Sequence, residues 1–169
     1  MTWLYIVGGV VVVLGFTAFF GAPYVPSRRR DVRRLFMNDY PLRSDDVVLD
    51  LGSGDGTVLR VIRQAGARAI GYELHPLLYW VSKVLTPGVQ IRMVNIWTAP
   101  FPKDVTVVSI FSVGRDGNRL VRKMQREVAR LGRTVTLICY GNPLPGRAPD
   151  SAAGPYLLYR FRPLHLNKP

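Results

Sequence analysis

Gly52, Gly54 and Gly56 stand at alternate positions directly after the run Val47-Val48-Leu49-Asp50-Leu51, and an acid, Glu73, ends a second apolar run 21 residues after Gly52. Glycines so spaced let the backbone take turn conformations closed to other residues and let a ligand approach the peptide plane closely. The loop Gly52-Ser53-Gly54-Asp55-Gly56 runs into an apolar-periodic segment (Val58, Leu59, Val61, Ile62). It therefore offers free N–H groups and the positive end of a helix dipole to whatever lies above the strand. An anionic or zwitterionic cofactor fits that environment. The nicotinamide fingerprint G-x-G-x-x-G would require glycine at 57, where Thr57 stands. Asp50, two residues ahead of the first glycine, suits a cofactor carrying an ammonium group and would repel a pyrophosphate. Glu73 falls where a βαβ unit sets a carboxylate on ribose hydroxyls.

These residues need a scaffold, and the chain spells one out. Val47–Leu51 reads as a buried strand, Thr57–Ala65 as a helix ended by Gly66, and Arg68–Glu73 as a second strand. His75-Pro76 opens a helix to about Leu85, with proline in the first turn where its missing N–H costs nothing. Leu77, Leu78, Trp80, Val81 and Val84 of that helix are expected in the core. Val89–Val94 is a third strand, followed by Asn95-Ile96-Trp97, and Val105–Phe111 a fourth, apolar enough to be buried on both faces. Arg115–Leu131 is an amphipathic helix with Leu120, Met124, Val128 and Leu131 at helical spacing and Gly132 as its cap. Arg119, Arg122, Lys123, Arg126 and Arg130 line its remainder and read as a solvated face. Thr134–Tyr140 is a fifth strand, Pro143–Pro155 a loop and Tyr156–Arg162 a closing strand. Such alternation predicts an α/β fold: a Rossmann-like, doubly wound, mostly parallel sheet with helices on both faces. Ligands of these sheets bind beyond the strands' carboxyl ends, where Gly52–Gly56, Glu73, Asn95 and Ser112 all fall.

Residues 3–20 are uncharged and almost wholly apolar. As a helix they would span about 27 Å, close to a bilayer's hydrocarbon thickness. The expectation is a transmembrane helix over 1–22, a basic juxtamembrane segment and linker over 23–45, and a catalytic domain over 46–169. Arg28, Arg29, Arg30, Arg33 and Arg34 follow the span at once, and the positive-inside rule then predicts a single-pass protein with its domain in the cytoplasm. On this reading the bilayer is a partner through residues 3–20 and the Arg28–Arg34 cluster. Val32, Leu35 and Phe36 give the arginine segment an apolar side, so a helix continues to about Asp39, and Pro41–Asp46 is a linker. Net charge is +12, all of the basic residues lying in 28–169, which suits anionic lipid, nucleic acid or an acidic protein. The arginines lack interleaved aromatics, which disfavours nucleic acid. One cysteine, Cys139, and two unclustered histidines, His75 and His165, exclude a disulfide framework and argue against a metal centre.

VVLDLGSGDG followed by GYEL resembles the S-adenosylmethionine site of the class I (seven-β-strand) methyltransferases. Pro23-Tyr24-Val25-Pro26-Ser27, Gly71-Tyr72-Glu73-Leu74-His75-Pro76 and Asn95-Ile96-Trp97, in this order and spacing, are similar to a narrower group. These are the membrane-anchored protein-lysine methyltransferases whose animal members modify the c-ring protein of mitochondrial ATP synthase, with small archaeal lysine methyltransferases. The sequence departs from the family pattern at Thr57 (usually basic), His75 (usually asparagine) and Asn95 (usually aspartate). The resemblance implies S-adenosylmethionine as cofactor, with Asp50 and the loop Gly52, Ser53, Gly54, Asp55 and Gly56 on its methionine portion. It implies Glu73, with Leu74 beside it, on the ribose, Asn95 and Ile96 on the adenine, and Tyr24 and Ser27 folding over the carboxylate end. Tyr24 is equally read as a membrane-interface aromatic. The implied reaction is methyl transfer to a lysine of a membrane or membrane-proximal protein, with no metal. Two other readings stand beside it: methylation of a lipid, quinone or other small molecule, and a non-catalytic cofactor-binding membrane adaptor.

Overall fold

The computed structural model describes residues 2–5, 7–9, 27–112 and 114–163. After the helical residues 2–5 and 7–9 comes α1 (Arg29–Arg34), which widens into a π-helical turn over Leu35–Asp39 closed by the Tyr40 N–H on the Leu35 carbonyl. There follow β1 (Val47–Leu51), α2 (Thr57–Gln64), β2 (Arg68–Glu73), α3 (Pro76–Leu85), β3 (Gln90–Met93) and β4 (Val107–Ser112). A 3-10 turn (Gly114–Asp116) leads into α4 (Gly117–Leu131), and β5 (Val135–Gly141), β6 (Ser151–Ala153) and β7 (Tyr156–Phe161) are the last described elements.

The strands form a single seven-stranded sheet in the order β3-β2-β1-β4-β5-β7-β6. β3, β2, β1, β4 and β5 pair in parallel, whereas β7 runs antiparallel to both β5 and β6. All five residues of β1 are buried, as a central strand covered on both faces requires. Side chains alternate between two cores. Val47, Leu49 and Leu51 face α4, whose Leu120, Met124 and Val128 meet Ile70, Tyr72, Leu137 and Tyr159 there. Val48 faces the opposite layer, where Val32, Leu35 and Phe36 of α1 and Leu59, Val61 and Ile62 of α2 cover Ala69, Ile138 and Leu158. The doubly wound arrangement is thus present, with element limits within about two residues of those expected.

Four expectations are corrected. Pro143–Pro155 is not all loop, because Ser151–Ala153 pairs with Tyr156–Leu158 as the edge strand β6. Three residues next to proline and glycine leave no period to read, and only the sheet edge makes them a strand. Second, α3 is not a core helix: Ser82 is its one buried residue, while Leu77, Trp80 and Val84 are 55%, 63% and 77% exposed. It seats the small side chains of Ser82 and Thr86 against Gly56, where a Cβ would lie 2.6 Å from Ser82 Oγ and 2.7 Å from Thr86 Cγ2. Contact through that stripe and Tyr79 leaves Leu77, Leu85 and Trp80 facing outward. Third, Lys123 does not share the solvated arginine face but is buried.

The fourth correction concerns the membrane. Among the described residues no helix is long and apolar enough to cross a bilayer, so the single-pass placement is not supported. The predicted span lies mostly outside the described residues, which at that end are 2–5 and 7–9, both helical. Arg28, Arg29, Arg30, Arg33 and Arg34 are exposed beside α1 or on it.

Candidate active site

The carboxyl ends of β1, β2 and β3 bring the predicted residues to one rim. After β1 the chain turns at Gly52 and Gly56 with φ of +80° and +79°, conformations that favour glycine. A Cβ on Gly52 would meet nothing within 4 Å, so the loop's outer side opens on free space. Gly54 donates its N–H to Glu73 Oε2 at 2.7 Å, and His75 donates its N–H to Glu73 Oε1 at 2.8 Å. Glu73 is 7% exposed, and this pair of amides fixes its carboxylate where the glycine loop meets the end of β2. Each oxygen keeps a further lone pair for a ligand hydroxyl.

Asp50 lies one step inside the rim, 5% exposed, with Gly71 and Ser109 as its register partners on either side. Burial pushes its carboxyl up to about 7, the charges of Glu73 and Asp55 adding to the rise and a hydrogen bond from the Ser109 hydroxyl opposing it. Among the described residues no basic side chain forms an ion pair with this carboxyl, so a cationic group of a ligand could do so.

The other predicted residues separate by role. Asp55 is occupied within the protein: it accepts from the Thr57 N–H at 2.9 Å and the Thr57 hydroxyl at 2.8 Å, and Arg60 donates to its backbone carbonyl at 3.0 Å. Its side chain caps α2. Ser53 is buried as well, so this part of the loop faces the rim through its backbone. Asn95 Oδ1 accepts from the Trp97 N–H at 2.9 Å, which shapes the turn after β3 and leaves the amide NH2 and a second lone pair. Ile96 is half-buried against the α4-side core, and Leu74 is 42% exposed beside Glu73. Ser112 ends β4, its backbone in register with Gly141. Ser27 is exposed just ahead of α1, and Tyr24 lies outside the described residues. His75 Nδ1 receives the Leu78 N–H at 3.5 Å as the cap of α3.

The turn carrying Asn95 and Ile96 is held from below by residues that pattern reading placed in solvent. Lys123 Nζ donates to the Ala99 carbonyl at 2.6 Å and to Glu127 Oε1 at 2.9 Å, and Glu127 Oε2 accepts the Phe101 N–H at 3.1 Å. Arg130 bonds the same carboxylate at 2.6 Å and the Phe101 carbonyl at 2.7 Å. Burial raises the Glu127 carboxyl, but the bonds from Lys123, Arg130 and Phe101 outweigh it and leave its pKa below the ordinary value. Cys139 is no nucleophile, since burial pushes its thiol up to about 12.

The solved RNA methyltransferase from Salinibacter ruber, in complex with S-adenosyl-L-homocysteine, superposes with a TM-score of 0.69 over 86% of this chain and 98% of its own, at 23% identity. The fold is that of the class I methyltransferases. Another protein of this class I fold, the SAM-bound amino pentose methyltransferase from Micromonospora echinaspora, matches 70% of this chain and 51% of its own at a TM-score of 0.51 and 20% identity. In sequence, the chain is 32% identical to the ATP synthase c-subunit lysine N-methyltransferase of Xenopus laevis, covering 78% of this chain and 58% of that protein. The protein of that name from Homo sapiens is 28% identical over 78% of this chain and 57% of its own length. The relatives found bear the name of the family that the motifs resemble, and the chain spans less than two thirds of the length of either. No family model matches the chain.

Proposed function

We propose that this chain is an S-adenosylmethionine-dependent methyltransferase that acts on a lysine side chain of a protein. One observation carries the reading: Asp50, the glycine loop, Glu73 and Asn95 share a rim on which a buried acid, bonded to Ser109 and without an ion pair among the described residues, stands beside a fixed carboxylate and open backbone. The name borne by the relatives supports lysine as acceptor.

These residues fit the cofactor. Asp50 would hold its ammonium, the amides of the Gly52–Gly56 loop its methionine portion, Glu73 its ribose hydroxyls, and Asn95 with Ile96 its adenine. Tyr24 and Ser27 are assigned to its carboxylate end by the resemblance alone. Bound there, the cofactor supplies a methyl group already activated by a sulfonium. The chain's own work is to orient an amine and to free it of its proton. A lysine titrates near about 10.4 in water, so its neutral form must be favoured by taking it out of solvent. Most of the acceleration then comes from positioning.

The test is methyl transfer from labelled cofactor to the lysines of a membrane-fraction proteome, read by mass spectrometry with the full chain. Methyl-lysine formed by the wild type, and lost with Glu73→Ala through cofactor affinity weakened by about 1–3 kcal/mol, is the expected result. Label appearing only in the lipid or small-molecule extract would overturn the lysine assignment. Label nowhere, with cofactor still bound, would favour the adaptor.

A further inference from the structure

Three aromatic side chains stand in a row at the same carboxyl edge, beyond the residues assigned to the cofactor. Phe111, Tyr140 and Tyr156 are register partners across β4, β5 and β7. The rings of Phe111 and Tyr140 stack with centroids 5.4 Å apart at 25°, and Tyr140 meets Tyr156 edge-on at 5.2 Å and 68°. By strand alternation they share a face with Ser109 and Asp50, and Tyr140 and Tyr156 join the core under α1 and α2. Phe111 is 38% exposed whereas Tyr156 is buried, so the row descends from solvent into the protein. Asp31 of α1 and Asp50 lie near enough that their charges add to the burial that lifts the Tyr156 hydroxyl to about 12.

Position and chemistry agree on what such a row does. Asp50, the glycine loop, Glu73 and Asn95 take up the ends of β1, β2 and β3, which leaves the acceptor the ends of β4, β5 and β7 beside the predicted Ser112. Ring faces carry negative quadrupole charge and attract a cation, and the carboxylate of Asp31 acts in the same direction. The same apolar surfaces strip water from an ammonium and lower its pKa. An amine acceptor needs both effects, capture as a cation and release as a base. The geometry points to Phe111, Tyr140 and Tyr156 as the subsite for the primary or methylated ammonium of the acceptor side chain. This rests on the methyltransferase reading and deepens it, since neither a neutral hydroxyl nor a phosphate would gain from the row.

The full chain, saturated with S-adenosylhomocysteine, is titrated calorimetrically with choline and with its uncharged isostere 3,3-dimethylbutan-1-ol. Choline should bind at least about fivefold more tightly, and Phe111→Leu, which keeps apolar bulk at an exposed position, should erase that preference. Tyr140→Leu should do the same independently. The affinity for S-adenosylhomocysteine, measured on each variant, should stay within about twofold and reports an intact fold. Equal affinities for the two probes, or a preference that survives both substitutions, would overturn the subsite while leaving the methyltransferase reading in place. Failure of the wild type to bind S-adenosylhomocysteine would instead bring down that reading, and the subsite with it.

Discussion

Asp50 combines two properties that oppose each other in the empty protein. It is buried, and its neighbours Glu73 and Asp55 are acids, so the folded state favours its protonated form up to about pH 7. The unfolded chain releases that proton near 3.8, so this group costs nothing at low pH and costs progressively more stability as pH rises from about 4 to about 7. The full cost is on the order of 4 kcal/mol. Asp50→Asn should therefore raise the melting temperature at about pH 8 while weakening cofactor binding by about tenfold or more. A variant that binds as tightly as the wild type would remove Asp50 from the site. A cationic ligand reverses the preference, so binding at about pH 6.5 should release protons, seen as a binding enthalpy that varies with the ionisation enthalpy of the buffer. Asp50, the glycines and Glu73 were legible because their spacing is imposed by the turn itself. Ser109, which bonds Asp50, was missed, although a lone hydroxyl in the run Val107-Val108-Ser109-Ile110 is a signal, since a buried polar group needs a partner. Thr57 departs from the family's basic residue, and Arg60 one turn later brings its guanidinium to within 3.4 Å of the same Asp55.

Helix α4 works as a bracket. Its apolar stripe packs on the sheet, and Lys123, Glu127 and Arg130 reach past the stripe to grip Ala99 and Phe101 beyond the turn of Asn95. Arg119 lies over Trp97 at 4.5 Å and adds a fourth point of hold. Lys123→Met leaves Glu127 buried with fewer donors and should cost about 3 kcal/mol in a denaturant titration. A loss below about 0.5 kcal/mol would show that the bracket carries no stability. A 3.6-residue period places Lys123 beside Arg119 and Arg126 but says nothing of a loop arriving from another part of the chain, which is why its burial was not legible. Helix α3 fails the same way in reverse: its apolar residues satisfy the pattern of a core helix, yet Ser82 is its one fully buried residue and Tyr79 packs only partly on the core. Trp80→Ser and Val84→Ser should each change stability by less than about 0.5 kcal/mol, where a core position would lose about 3–5 kcal/mol for the tryptophan. Thermal denaturation separates the two.

At the scale of the molecule, the order β3-β2-β1-β4-β5-β7-β6 explains why distant segments share one site. Two crossovers from β1 carry the chain outward to β3, and the return to β4 on the other side of β1 opens a crevice at the carboxyl ends. Strand–helix alternation made most of this legible, because buried parallel strands are near-continuous apolar runs. The edge strand β6 was beyond reach, being too short to show a period. The membrane placement rested on composition alone, and the described helices do not bear it out. The aromatic row was hidden because its members come from three strands far apart in the chain and meet only through register. The central claim is that the crevice is built for S-adenosylmethionine. Calorimetric titration of the full chain with S-adenosylmethionine and, separately, with NAD tests it most directly. Saturable binding of S-adenosylmethionine alone is the predicted result, and binding of NAD in its place, or of neither, would contradict it.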